Sequence, residues 1–187
     1  MSEIQSVFYP QSEIHTTLIP VTTGCPYNRC AFCSMYKADT YSEVLLREIE
    51  HELMNGEGYT ERVFLTGADP LSVGFEKIFK ILNLVRKYFP YCGCVAAYAS
   101  VRSLQRYSVY ELKQLHEAGL RLLYVGFETG SDETLKLMKK GHTAAVAARQ
   151  GQKLNEARLP FYAIVMYGIA GEGKGKENAR LTAELLN

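Results

Sequence analysis

The first ten residues, Met1 to Pro10, carry no basic stretch followed by an apolar one, so no secretory signal is expected. No run anywhere is long and apolar enough to span a bilayer. No solenoid-type repeat and no low-complexity tract interrupts the chain. Neither sign of charge dominates: 21 Lys and Arg against 20 Asp and Glu leave a formal +1. That balance is not the footprint of a nucleic-acid or anionic-membrane binder, although a neutral total leaves room for a local basic patch. A cytoplasmic protein is the expectation.

What is present fits one globular domain with a substantial core. The chain has 187 residues, of which 47% are hydrophobic and 22% charged. Strand-like and helix-like segments alternate along it. His15 to Thr22 reads as a β-rich run ending at Gly24. Ser42 to Met54 has helical spacing, with Val44, Leu45, Ile49 and Leu53 on one face and Asn55-Gly56 as a stop. Arg62 to Leu65 is a short strand. Phe75 to Tyr88 is a helix with Phe75, Ile78, Phe79, Leu82 and Val85 inward. Gly93 to Tyr98 is a third strand and Tyr110 to Ala118 a helix closed by Gly119. Leu120 to Phe127 is a fourth strand, apolar enough to be covered on both faces. Helices over Asp132–Lys139 and Ala144–Ala157, a fifth strand over Leu159–Tyr167 and a last helix over Lys176–Leu186 complete the series. Strands alternating with helices predict a parallel sheet.

In such folds the chemistry sits at the C-terminal ends of the strands. Every unusual segment of this sequence follows a strand: Cys25 to Cys33, Thr66 to Pro70, Tyr98 to Arg102, Glu128 to Ser131, and Gly168 to Gly175. Mere turns would explain their glycines but not their cysteines and acids.

The chain has five cysteines, an odd number, and three of them, Cys25, Cys30 and Cys33, fall within nine residues. A disulfide framework would spread them along a secreted chain. The spacing is C-x4-C-x2-C. Three thiolates on a short loop suit a soft metal or an iron–sulfur cluster. A closed zinc site would need a fourth ligand, for which His51, His142, Cys92 and Cys94 are the candidates. Cys92 and Cys94 start the third strand, at the rim opposite the other motifs. There they read as small hydrophobes, with an auxiliary cluster as the alternative. A separate feature, Gly168 to Lys174, fits G-x-x-x-x-G-K between a strand and a helix. Gly175 follows in place of the Ser or Thr that a phosphate loop needs for Mg²⁺.

The cysteine loop resembles the cluster-binding loop of the radical S-adenosylmethionine (radical SAM) superfamily, whose usual spacing is C-x3-C-x2-C. This chain has one residue more, within Pro26 to Arg29. The position after the first strand and the aromatic Phe32 before the last cysteine match the family pattern, in which that ring lies beside the adenine. Gly67-Ala68-Asp69-Pro70 resembles the segment that binds the SAM amino group, with Ala and Asp where Gly and Glu are usual. Read alone, it is a helix-entry turn with Asp as cap. Gly126-Phe127-Glu128-Thr129-Gly130, followed by Lys140-Gly141 and Thr143, is similar to a segment of the coproporphyrinogen-oxidase-like and methylthiotransferase-like branches. There the acid faces the ribose or methionine part of SAM. Read alone, Glu128 is a solvated or capping acid. Tyr167-Gly168-Ile169-Ala170-Gly171-Glu172 resembles a family turn whose backbone pairs with adenine. Ser100 and Arg149 are further candidate contacts, Arg149 for a carboxylate or as a solvated helix face.

The resemblance implies a partial (β/α)6 TIM-like barrel, here with about five strands, and a single core domain over residues 1–187 that lacks a sixth unit. It implies a [4Fe-4S] cluster on Cys25, Cys30 and Cys33, with S-adenosylmethionine on the open iron. It further implies reductive cleavage to a 5′-deoxyadenosyl radical that takes hydrogen from an unknown substrate. An electron donor such as a flavodoxin or ferredoxin would supply the electron. The competing reading is a non-catalytic zinc- or iron–sulfur-binding domain. An open edge after the fifth strand would favour oligomerisation.

Overall fold

The computed structural model describes residues 7–187; Met1 to Ser6, part of the segment read above for a signal, lie outside it. A 3-10 turn at Gln11–Glu13 precedes β1 (Thr17–Pro20). Two short strands, β2 (Thr22–Thr23) and β3 (Ser42–Glu43), pair antiparallel at the two ends of the cysteine loop. Then come α1 (Leu46–Met54), β4 (Arg62–Thr66), α2 (Phe75–Tyr88), β5 (Cys94–Ser100), α3 (Val101–Leu104) and α4 (Val109–Glu117). β6 (Leu120–Glu128), α5 (Asp132–Leu137), α6 (Ala144–Glu156), β7 (Phe161–Val165) and α7 (Gly175–Leu186) complete the order.

β1, β4, β5, β6 and β7 form one sheet in that order, every neighbouring pair parallel. This is the expected partial barrel of α/β class, five parallel strands with helices outside. Successive side chains on a strand point to opposite faces, and the sequence sorts them accordingly. Ile19, Val63, Leu65, Val95, Ala97, Leu123, Val125 and Phe127 meet the helices in the main core. Phe64, Ala96 and Tyr124 point the other way, joined by Leu18, Tyr98, Leu122 and Ile164. Burying an aliphatic or aromatic core side chain contributes about 1.5–3 kcal/mol, so the two-sided burial of β6 makes it the anchor of the sheet.

The N-terminal turn closes the base of the second face. Glu13 is completely buried. Its carboxylate accepts from Arg62 at 2.5 and 2.8 Å and from the Tyr124 hydroxyl at 2.7 Å. Arg62 also donates to the Cys94 sulfur at 2.9 Å. Burial alone would raise the Glu13 pKa, but the Arg62 and Tyr124 bonds outweigh it and hold the carboxyl below its ordinary value.

Helix boundaries follow local chemistry. Ser108 caps α4 by accepting from the Glu111 amide, and the Glu111 carboxylate returns the bond to the Ser108 amide. Thr143 caps α6 and Ser131 caps α5 from one side only, each hydroxyl accepting from an amide of the first turn. α1 begins at Leu46, later than the spacing from Ser42 predicts, because Ser42 and Glu43 pair with β2 instead. Leu45, expected inward, is exposed there. α5 ends at Leu137, and Lys139 (φ 52) and Gly141 (φ 83) turn the chain by adopting left-handed backbone. Among the described residues no helix is long and apolar enough to cross a membrane.

Candidate functional site

The cysteine loop leaves the C-terminal end of β1 and returns at β3. Cys25, Cys30 and Cys33 are all free and half-buried. Their sulfurs lie close enough for charge on Cys25 and Cys33 to push the Cys30 pKa up, after burial, which is the largest cause. Lys140 works in the opposite direction. The loop is fastened at several points. The Asn28 amide donates to the Cys25 sulfur at 3.3 Å, and Asn28 Nδ2 donates to the Tyr36 carbonyl at 2.8 Å. The Ala31 amide donates to the Met138 carbonyl at 2.9 Å. The Tyr27 hydroxyl donates to the Lys139 carbonyl at 2.8 Å.

Opposite the loop, β6 ends in strain. Glu128 has φ 65, and the Thr129 amide turns back to the Phe127 carbonyl at 2.8 Å, a tight three-residue turn that non-glycine residues rarely adopt. The turn aims the buried Glu128 carboxylate at Lys140, whose ammonium donates to it at 2.6 Å. The same ammonium lies 5.6 Å from the centre of the Phe32 ring. Cys30, Phe32, Glu128 and Lys140 therefore form one cluster at the rim. Strain of this kind costs about 1–3 kcal/mol and persists where the surroundings over-determine the conformation. Here the Met166 amide holds the Glu128 carbonyl at 2.9 Å.

The segment after β4 behaves differently from its reading as a ligand arm. Gly67 has φ 127, and a Cβ on it would overlap the Thr22 hydroxyl, so the chain needs glycine there. The Thr22 hydroxyl is buried without a hydrogen-bond partner. Ala68 is half-buried. Asp69 is buried and faces into the protein. Its carboxylate accepts from the Ser100 hydroxyl at 2.5 Å, the Ser100 amide at 3.2 Å and the Ser103 hydroxyl at 2.8 Å. Burial raises the Asp69 pKa, and these three bonds offset only part of the rise. Ser100 also caps α3, accepting from the Ser103 amide. The polar atoms of Asp69 and Ser100 thus serve each other across two adjacent loops.

The remaining sequence candidates are spread out. Arg149 is exposed on α6, without a hydrogen bond or ion pair to the rim cluster. Tyr167 is fully exposed, and Gly168 (φ 77) is open to solvent. Lys174, at the lysine position of the phosphate-loop pattern, pairs with Glu133 at 2.7 Å. Cys92 and Cys94 lie at the N-terminal end of β5, away from the cysteine loop. His51 sits on α1 beside Asn55, at 3.2 Å. His142 is nearer: burial, then Lys140, pulls its pKa down to about 4, against a hydrogen bond to the Phe127 backbone. Its Nε2 is buried and unpartnered. Among the described residues no three His, Cys, Asp or Glu side chains gather tightly enough for a single metal ion.

Lys140 and Tyr27 were not among the sequence candidates. Lys140 lies twelve positions after Glu128, and only the turn at Lys139 and Gly141 brings it back. Gly141 was the one local signal of that turn.

The site is thus a partial parallel barrel of α/β class whose three-thiol loop, after the first strand, faces a buried acid–lysine pair at the C-terminal rim. The sequence profile of the Radical SAM superfamily matches residues 19–181. The chain belongs to the radical SAM superfamily. It is 22% identical over 152 residues to the heme chaperone HemW of Bacillus subtilis, covering 76% of this chain and 40% of that one. The fold is similar to the cobalamin-dependent radical enzyme OxsB, with TM-score 0.69, 15% identity and coverage of 90% and 26%. It is similar to methylornithine synthase, with TM-score 0.66, 16% identity and coverage of 92% and 49%. It is also similar to the coproporphyrinogen III oxidase HemN of Escherichia coli, with TM-score 0.62, 16% identity and coverage of 91% and 42%. The chain spans under half the length of each of these proteins.

Proposed function

We propose that the chain binds a [4Fe-4S] cluster on Cys25, Cys30 and Cys33 together with S-adenosylmethionine, and that it is a radical SAM enzyme, an oxidoreductase in the broad sense, or the cofactor-binding part of one. The observation that carries this reading is the cluster of Cys30, Phe32, Lys140 and Glu128 at the C-terminal rim. The donor set fits. Three free, half-buried thiols on one short loop suit an iron–sulfur cluster, which spreads its ligand sulfurs over several irons. The zinc reading requires a fourth ligand at the loop; of its candidates, Cys92 and Cys94 lie at the opposite end of β5 and His51 lies on α1.

When bound, the cluster would supply the electron that cleaves S-adenosylmethionine to methionine and a carbon radical able to take hydrogen from a substrate. The chain's own residues would bind and orient. Lys140 supplies the positive charge nearest Cys30 and lowers the cost of thiolate there. Phe32 offers an apolar face beside it. Glu128, fixed by strain and by Lys140, offers a carboxylate that can accept from hydroxyls or an amine. Gly67 and Ala68 contribute backbone, since Asp69 is engaged inside the protein. The exposed backbone at Tyr167 and Gly168 completes the rim. Arg149 has no role in this arrangement. An external one-electron donor of the flavodoxin or ferredoxin kind would reduce the cluster.

Anaerobic reconstitution followed by iron and sulfide analysis tests the proposal, with EPR of the reduced protein with and without S-adenosylmethionine. About four irons per chain and a spectrum altered by S-adenosylmethionine are expected. Stoichiometric zinc, or a spectrum indifferent to S-adenosylmethionine, would overturn it.

A further inference from the structure

The cysteine loop is one residue longer between Cys25 and Cys30 than the family's usual spacing. A longer loop has more conformations to lose when it organises its ligands, so something must restrain it. The structure shows where the extra length goes. Asn28 takes a left-handed conformation, φ 45, and Tyr27 is turned out of the loop toward the segment that follows α5. Its hydroxyl donates to the Lys139 carbonyl at 2.8 Å. The Arg102 guanidinium lies 4.4 Å from the centre of its ring, a cation–π distance. A Cβ on Gly141 would stand 2.7 Å from the tip of the Tyr27 ring, so the ring tip packs closely on this turn.

We infer that Tyr27 is a positioning residue for the cysteines. It pegs the lengthened loop to the Lys139–Gly141 turn and thereby fixes Cys30 relative to Lys140. This rests on the cluster reading of Cys25, Cys30 and Cys33. One peg serves both sides of the site, because the turn it grips also aims Lys140 at Glu128. The Ala31 amide, bonded to the Met138 carbonyl, reports on the tether: if Tyr27 holds the loop, removing it exposes that amide.

The test uses Tyr27→Ala and Tyr27→Phe. In the apo protein, Ala31 hydrogen exchange and alkylation of the three thiols should each rise about tenfold in Tyr27→Ala, as loss of one hydrogen bond and one cation–π contact implies. The melting temperature should fall by no more than about 3–6 °C, the shift a tenfold loosening implies for a chain of this length. Tyr27→Phe keeps the ring under Arg102 and should recover part of the protection. After reconstitution, Tyr27→Ala should lose iron about tenfold faster, with a smaller S-adenosylmethionine-induced change in its EPR spectrum. Unchanged Ala31 exchange, or a global loss of stability in place of local loosening, would overturn the inference. A wild-type protein that takes up no cluster would instead overturn the cluster reading, and the apo measurements would still decide the tether.

Discussion

The Asp69 carboxylate accepts from both the hydroxyl and the amide of Ser100, at 2.5 and 3.2 Å, and so joins the loop after β4 to the loop after β5. Removing it in Asp69→Ala takes the shared acceptor from the Ser100 amide and leaves the Ser100 and Ser103 hydroxyls with only each other and the Ser100 carbonyl. A loss of about 2–3 kcal/mol is expected in denaturant unfolding. The pH dependence has a definite sign. Burial raises the folded pKa above the ordinary 3.8, so the associated stability is full below that value and is lost as pH rises through the folded pKa. The stability of wild type relative to Asp69→Asn should therefore fall as pH rises from about 3.8; a flat difference would contradict the burial of the charge.

Glu13 gives the opposite sign. Its folded pKa lies below the ordinary 4.5, so its contribution is present above that value and lost as pH falls through the folded pKa. Glu13→Gln should remove about 2 kcal/mol at neutral pH, discounted because Arg62 is partly exposed. The variant should also show a flatter acid-unfolding profile. Equal acid sensitivity in both proteins would show that the base of the sheet is held by other contacts.

Gly130 was read as part of a cofactor-binding segment, and the structure gives it a packing role. A Cβ there would overlap the Leu181 carbonyl of α7. The Gly130 amide donates to the Thr182 hydroxyl at 3.0 Å, and Thr129 donates to Asn178 at 2.5 Å. Gly130→Ala should displace α7 and cost about 3 kcal/mol or more. Thr182→Val should cost about 1–2 kcal/mol. Thermal unfolding orders the two; a Gly130→Ala protein as stable as wild type would mean that α7 seats elsewhere.

Lys140→Met should make Cys30 harder to ionise, because Lys140 is the charge that lowers its pKa. In the apo protein at pH 8 the Cys30 alkylation rate should fall a few-fold. Weaker S-adenosylmethionine binding, by about tenfold, is expected in the reconstituted protein. An unchanged alkylation rate would place Lys140 too far from the thiol to matter.

Much of this molecule was legible in its sequence. α2 has the boundaries its apolar spacing predicts, and β6 is apolar because it is covered on both faces. The three cysteines are visible as a spacing, since covalent neighbours on a short loop must be neighbours in space. The engagement of Asp69 was not legible: a motif fixes where an acid lies along the chain, but not whether serines at and after the end of β5 take up its oxygens. The roles of Lys140 and Tyr27 could not be read, although Lys140 lies in a segment that resembles the family, because they depend on a left-handed turn that brings residues from two loops together. α3 was missed because four residues, Val101 to Leu104, carry too little periodicity to read.

The bond set of Asp69, Ser100 and Ser103 also has a hereditary consequence. Asp69 cannot change alone without taking the shared acceptor from Ser100 and Ser103, so in descendants of this chain the positions should drift together or stay put. Compared across generations, 69, 100 and 103 would behave as a single character.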